Sequence, residues 1–166
     1  MPADPQARYA RGQVITVDIV LTAHHKGHFE FSACPIKQGG VATGACFKKY
    51  RLKFVSDPWY GAPKDPDYPY RAYIAPPGVS KKNDAGLLYR FKLKLPDNLT
   101  GDLVLLQWHY LTANSCIYSG YKNYPFPAKW GNTQTGLGIC NNIPSGGGGL
   151  PGRFPWLSPV CSFDVS

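Results

Sequence analysis

No apolar stretch of this chain approaches the ~20 residues that a membrane-spanning helix needs. Met1-Pro2-Ala3-Asp4 opens no apolar signal-peptide core either. Acidic residues are scarce, ten Asp and Glu against 18 Lys and Arg, for a formal net charge of +8. Several catalytic frameworks are also missing: there is no Gly-x-Ser-x-Gly elbow, no Gly-Lys-Ser/Thr phosphate loop and no dinucleotide fingerprint. The run Gly146 to Gly149 leads into Leu150-Pro151 and so opens no helix for a phosphate. Ten carboxylates, mostly beside Pro, Gly or Asn, lend little support to a paired-carboxylate glycosidase. None of the five cysteines forms a Cys-x-x-Cys pair, which argues against a zinc ribbon or a thioredoxin-like motif. A positive balance by itself invites a nucleic-acid partner. Here the cations are dispersed on alternating strand faces, as at Arg90, Lys92 and Lys94, the pattern of a solvated sheet surface. Neither a nucleic acid nor a membrane is expected as a partner.

What is present is a β chain. At 166 residues and 43% hydrophobic content one domain with a single core is expected. The 18 glycines and 16 prolines favour short strands and long ordered loops over helices. Residues 1–12 are polar and read as an extended lead-in; residues 13–166 read as the domain. From Gln13 to Ala23, Ile15, Val17, Ile19 and Leu21 alternate with a mixed set, as expected for one face on a core. His28 to Cys34 alternates again, with Phe29, Phe31 and Ala33 on one face. Further strands are expected over Lys49 to Val55, Leu87 to Leu95, Leu103 to Leu111 and Val160 to Val165, with a turn at Pro96-Asp97-Asn98. Residues 56–80 are rich in proline and carry Trp59, Tyr60, Tyr68, Tyr70 and Tyr73 without a helical period, so a long ordered loop is expected there. A second loop-like region after Asn114 holds Tyr118, Tyr121, Tyr124, Phe126 and Trp130. The sum is an all-β fold, an antiparallel β-sandwich of the immunoglobulin or fibronectin III kind with two long aromatic-rich loops.

Scattered cysteines in a loop-rich β chain read as disulfides formed in an oxidising compartment, and the acceptor sequon Asn98-Leu99-Thr100 agrees with secretion. A secreted body without a secretory start reads as a fragment or a mis-started gene product, with the odd cysteine's partner in a missing segment. Tyr and Trp stack on the apolar faces of pyranose rings, so an exposed row of Trp59, Tyr60, Tyr68 and Tyr70 would bind a flat polysaccharide face. The same rings would equally well pack the loop onto the sandwich.

The most informative stretch is Thr22-Ala23-His24-His25-Lys26-Gly27-His28-Phe29-Glu30-Phe31-Ser32-Ala33-Cys34-Pro35. Neutral imidazole is the commonest biological ligand of copper and zinc, and three histidines fall within five residues at a strand end. His24 and His25 are neighbours, so an extended chain sends them to opposite sides and only one can meet a given ion. The stretch resembles the Thr-Ala-x-His-x-Gly-(aromatic)-Phe-x-Phe-x-x-Cys-Pro signature of lytic polysaccharide monooxygenases, copper enzymes with a chitin-binding type-4 domain. A second block resembles the same family: Leu105-Leu106-Gln107-Trp108-His109-Tyr110 followed by Ala113-Asn114-Ser115, with Leu95-Pro96 and Leu99 before it. A third runs from Ile143-Pro144 to Gly149-Leu150-Pro151-Gly152-Arg153-Phe154, but six residues, Pro155 to Val160, separate that aromatic from Cys161, where the family has a shorter spacing.

The resemblance implies one copper ion, an insoluble polysaccharide such as chitin or cellulose as substrate, secretion, and work as a monomer. It makes His25 a copper ligand, Ala23 the small residue beside the metal and Phe154 the axial aromatic. Gln107 becomes a residue that orients bound oxygen, or equally a hydrogen-bonded residue of the sheet. It also implies a disulfide between Cys34 and Cys46. Of Cys116, Cys140 and Cys161, two are expected to pair and one to be left over, with Cys116–Cys161 the pairing chosen outside the resemblance. The family's N-terminal histidine has no counterpart here, so the copper ligand set is incomplete in the chain as given. The alternative is a non-catalytic polysaccharide-binding module.

Overall fold

The computed structural model describes residues 6–37, 39–131 and 137–140, together with the backbone of 161–165. Nine strands make two sheets: β1 Arg8–Tyr9, β2 Val14–Leu21, β3 His28–Pro35, β4 Lys53–Ser56, β5 Arg71–Tyr73, β6 Lys82–Asn83, β7 Gly86–Lys94, β8 Gly101–Leu111 and β9 Cys161–Val165. One sheet runs β1-β9-β8-β3-β5; the other runs β2-β7-β4, with β6 also on β7. All pairings are antiparallel except β1 with β9. The expected sandwich is present.

Alternation along the strands builds the core. Ile15, Ile19 and Leu21 of β2, Phe29, Phe31 and Ala33 of β3, and Tyr89, Phe91 and Leu93 of β7 are all buried. Phe29 is the hub: Phe31, Tyr89, Phe91, Trp108 and Tyr110 lie edge-on to it at ring-centroid distances of 5.1 to 6.4 Å. Such edge-to-face pairs are favoured by the ring quadrupoles. The β3–β8 ladder holds register without a break from His28↔Leu111 to Pro35↔Val104. Both of its inner faces are therefore aimed by a single pairing.

Four local expectations are corrected. Lys49, the expected start of a strand, instead closes a short helix, α1, over Gly44–Lys49, because the Thr43 hydroxyl caps the Cys46 N–H at 3.2 Å and Lys48 and Lys49 sit at its carbonyl end. The lead-in contributes Arg8–Tyr9 to the larger sheet. The proline-rich loop of residues 56–80 contains β5, which adds to β3 through Phe29↔Ala72. Cys116 bonds to Cys140, not to Cys161: the bridge Ile117↔Ile139 brings the two chain segments together immediately beside these cysteines. The pair Cys34–Cys46 forms as expected and ties β3 to α1.

Two buried carboxylates order the proline-rich loop. Asp57 accepts from the N–H groups of Trp59, Tyr60 and Ala62, and burial raises its pKa despite those bonds. Asp65 accepts from the N–H groups of Asp67 and Tyr68, and the Tyr73 hydroxyl donates to it at 2.6 Å. Tyr73 also stacks on Tyr124 at 3.8 Å, joining the two aromatic loops. Replacing Phe29 by Ala empties the centre of the ring cluster and is expected to cost about 3–5 kcal/mol. Urea unfolding measures this; a loss under 1 kcal/mol would contradict the hub role.

Candidate functional site

His25 lies in the tight connection between β2 and β3. That connection is possible because Lys26 and Gly27 both take positive φ, 54° and 90°. Gly27 also leaves room for β8: a Cβ there would stand 1.9 Å from the Leu111 carbonyl oxygen. The His25 main chain is gripped on both sides. Its N–H donates to the Tyr110 hydroxyl, and its carbonyl accepts from the Ala113 N–H at 2.9 Å. Tyr110 is itself buried against Phe29, so the core reaches the loop through one phenol. Burial raises the Tyr110 pKa, which keeps the hydroxyl protonated and neutral.

The His25 ring is half-buried and stands near the Tyr110 ring, at a centroid distance of 6.4 Å and 28° between planes. The Asn114 amide reaches its Nδ1 at 2.9 Å. A partner on Nδ1 fixes the ring's orientation, and whichever amide atom faces it sets the tautomer. Ala23 is exposed at the end of β2. Neighbouring His24 turns elsewhere, with its Nε2 3.1 Å from the Ala75 carbonyl oxygen; burial lowers its pKa. The adjacent imidazoles therefore do not share a partner.

His28 is a different kind of residue. It is fully buried, with Nδ1 2.5 Å from the Tyr121 hydroxyl. Burial drives the Tyr121 phenol pKa far up, so that phenol keeps its proton and donates to Nδ1. Nε2 is then the N–H side; it lies 3.6 Å from Glu30 and makes no hydrogen bond. Burial lowers the His28 pKa, and only Glu30 works against this while Arg71 and Arg51 reinforce it. Glu30 goes well below the ordinary carboxylate range: burial alone would raise it, but His28, Arg51 and Arg71 outweigh the burial. Arg51 grips Glu30 at 2.8 Å.

Of the other candidates, Gln107 lies along β8 before Tyr110, the residue that meets the His25 loop. Gln107 pairs across the ladder with Ser32. It lies four residues before Leu111, about 13 Å along an extended strand. Phe154 and the block around it lie outside the described residues. The four aromatics chosen as a sugar-binding row sit in separate surroundings. Tyr60 is 3% exposed, with its hydroxyl donating to the Leu88 carbonyl and accepting from the Lys81 N–H, so it is a core residue and is corrected here. Trp59 lies under Lys81 and Arg90, Tyr68 under Arg71, and Tyr70 under Arg51. Each of these three partly buried rings offers a face to a cation of the chain itself.

For copper, the described residues supply one well-oriented imidazole. Among the described residues no group of three or more His, Cys, Asp or Glu side chains is placed to hold a metal. They do not make a copper centre by themselves. Asn114 and Tyr110 were read as parts of a matching block, without roles. The periodicity of β8 could have flagged Tyr110, because its inward face carries a hydroxyl that needs a partner.

A family model described as lytic polysaccharide mono-oxygenase, cellulose-degrading, matches residues 2–123. The chain belongs to the lytic polysaccharide monooxygenase family. A similar solved structure is a lytic polysaccharide monooxygenase AA15 from Thermobia domestica in the Cu(I) state. It is 22% identical with a TM-score of 0.58, over 99% of this chain and 64% of that one. At that identity the likeness speaks for the fold, and the chain spans about two thirds of its length. No curated protein sequence matches the chain.

Two outcomes follow from this geometry. Tyr110→Phe removes only the hydroxyl that holds His25 and is expected to cost about 1–2 kcal/mol, with faster amide exchange at His25 than in the parent. Unchanged exchange would show that the phenol is not the clamp. The second concerns pH. With a folded-state pKa below the unfolded value of about 6.5, His28 contributes stability that is complete above that pH and lost as the pH falls beneath it. The groups facing it are Glu30 on its own strand, Arg71 and Tyr73 on β5, Arg51, and Tyr118 and Tyr121. Melting temperature should decline from about pH 6.5 downward. His28→Gln should flatten that decline, leaving the separate loss below about pH 4 that comes from Glu30 and other carboxylates. An identical slope in both proteins would contradict it.

Proposed function

We propose that this domain serves a secreted, copper-dependent protein that cleaves chitin or cellulose oxidatively, with His25 as one metal ligand and the remaining donors outside the described residues. The observation that carries this reading is the two-sided hold on the His25 main chain, by Tyr110 and Ala113, together with Asn114 on its ring. A loop gripped in this way presents its imidazole in one orientation, which is what a metal ligand requires. Copper, when bound, supplies the oxygen activation; the chain's part is to hold one nitrogen in place. Exposed Ala23 leaves the approach beside His25 unobstructed by a large side chain. Gln107 and Phe154 stay candidates for orienting oxygen and for the axial position. Two disulfides agree with an extracellular site of action.

The second reading, a non-catalytic polysaccharide-binding module, is favoured by the lack, among the described residues, of three His, Cys, Asp or Glu side chains grouped to hold a metal. Trp59, Tyr68 and Tyr70 would then carry the glycan contact.

Copper titration separates the cases. A lone imidazole should bind Cu(II) weakly in the chain as given, and His25→Ala should abolish even that binding. Tight one-to-one binding that survives His25→Ala would remove His25 from the site. Oxidised chain ends from chitin or cellulose, with copper and ascorbate, would support the enzyme. Retention on the insoluble glycan in a chelator, without such ends, would support the module.

A further inference from the structure

Far from His25, five cations line one cavity. Lys48 and Lys49 come from the end of α1, Arg51 from the segment after it, Lys53 from β4 and Lys94 from β7. The cavity measures about 280 Å³, and its wall is completed by Tyr70 and by the turn after β7, including Asp97. It lies at the opposite end of β7 from the His25 loop: Leu21, which leads into that loop, pairs with Leu87, whereas Lys94 pairs with Val14. Lys94 lies seven positions along the strand from Leu87, roughly 24 Å of extended chain.

The charge in this cavity is mostly uncompensated. Arg51 is held by Glu30 and Lys94 by Asp97 at 3.0 Å. Lys48, Lys49 and Lys53 have no carboxylate partner among the described residues. The carbonyl end of α1 accounts for Lys48 and Lys49. It does not account for Lys53, which stands directly across the ladder from Lys94. Like charges at facing positions destabilise an antiparallel pair, and Asp97, engaged with Lys94, leaves Lys53 without an anion of its own. On the same strand as Lys94, Arg90 is neutralised by Asp18 through two 2.7 Å bonds.

We propose that this cavity binds an acidic polysaccharide, its carboxylate or sulfate groups held by Lys48, Lys53 and Lys94. The ligand class rests on the polysaccharide reading above. A nucleic acid is the competing polyanion, and duplex DNA is for that reason one arm of the test. Binding here would tether the domain to charged regions of a cell-wall or matrix polymer while leaving the His25 end free to face another chain.

Affinity electrophoresis of the full chain, made without N-glycans because Asn98 lines the cavity and begins a sequon, tests the proposal. The probes are polygalacturonate and dextran sulfate, with hydroxyethyl cellulose as neutral control. Both acidic polymers should retard the protein, and the neutral one should not do so to the same degree. The double variant Lys48→Gln/Lys53→Gln should weaken acidic binding at least fivefold with its melting temperature kept. Lys48→Arg/Lys53→Arg should stay within twofold of the parent. Unchanged binding in the Gln variant would overturn the proposal. So would duplex DNA binding as tightly and depending on the same lysines, or millimolar inorganic phosphate displacing the polymers completely. His25→Ala should leave acidic binding intact, so failure at this cavity and failure of the copper reading are told apart.

Discussion

Along β3 and β8 every second side chain enters the core, and one uninterrupted antiparallel register decides which ones. Shifting that register by one residue would carry Phe29, Phe31 and Tyr110 to the outer face. It would also bring His28 and Glu30 inward, among rings that offer them no partners. The ladder thus does two things together. It seats the aromatic hub, and it sets the height at which the Tyr110 hydroxyl emerges to meet the His25 N–H. The position of the candidate ligand is a consequence of core packing; the tight loop only has to reach the phenol. Gly27 makes that reach possible, because any larger residue there would collide with β8.

The three neighbouring histidines show how far environment, and not residue type, decides chemistry. His24 leans on a carbonyl of the proline-rich loop, His25 is held at the surface, and His28 is sealed inside with a phenol on one nitrogen and nothing on the other. The buried one is costly to protonate, since its charged form would lose water without gaining a hydrogen-bonded partner. A carboxylate 3.6 Å away softens this cost only in part, because two arginines already draw on the same carboxylate. The outer face of the larger sheet therefore carries a buried polar network beneath its aromatic cover. The rings that cover His28 are Tyr73, Tyr118 and Tyr121, none of them in the row expected to meet a sugar.

Strands with strict alternation were legible before any coordinates: β2, β3, β7 and β8 fall within a residue or two of where the pattern placed them. Elements whose existence depends on distant partners were not. Arg8–Tyr9 becomes a strand only because β9 lies beside it, and β5 only because β3 offers a free edge. Lys49 to Leu52 leads into β4 with strand-like alternation, yet Lys49 closes α1, which the Thr43 hydroxyl caps, and the strand begins only at Lys53. Cysteine pairing has the same limit, since nothing in the spacing of Cys116, Cys140 and Cys161 reveals that Ile117 and Ile139 will bridge. The candidate site was half legible: the histidine-bearing signature singled out His25, while Tyr110 and Asn114 acquire their roles only once the β8 end is folded against the loop.

Charge was the least legible feature, because a linear chain shows dispersion where the fold makes concentration. Lys94 lies far along the sequence from Lys48 and Lys53, and each alone resembles an ordinary solvated lysine. Antiparallel pairing sets Lys53 against Lys94, and the end of α1 adds two more ammonium groups to the same cavity. Mutual repulsion in water is small at these exposed positions, on the order of a few tenths of a kcal/mol per pair. A single pair would therefore mean little. Several such pairs converging on one concave wall, with Asp97 and Glu30 already engaged, concentrate potential where a polyanion could offset it. The two ends of the sandwich are thereby given different chemistry, an oriented imidazole at one and a cluster of cations at the other. A domain divided in this way can hold a polymer at one end without occupying the other.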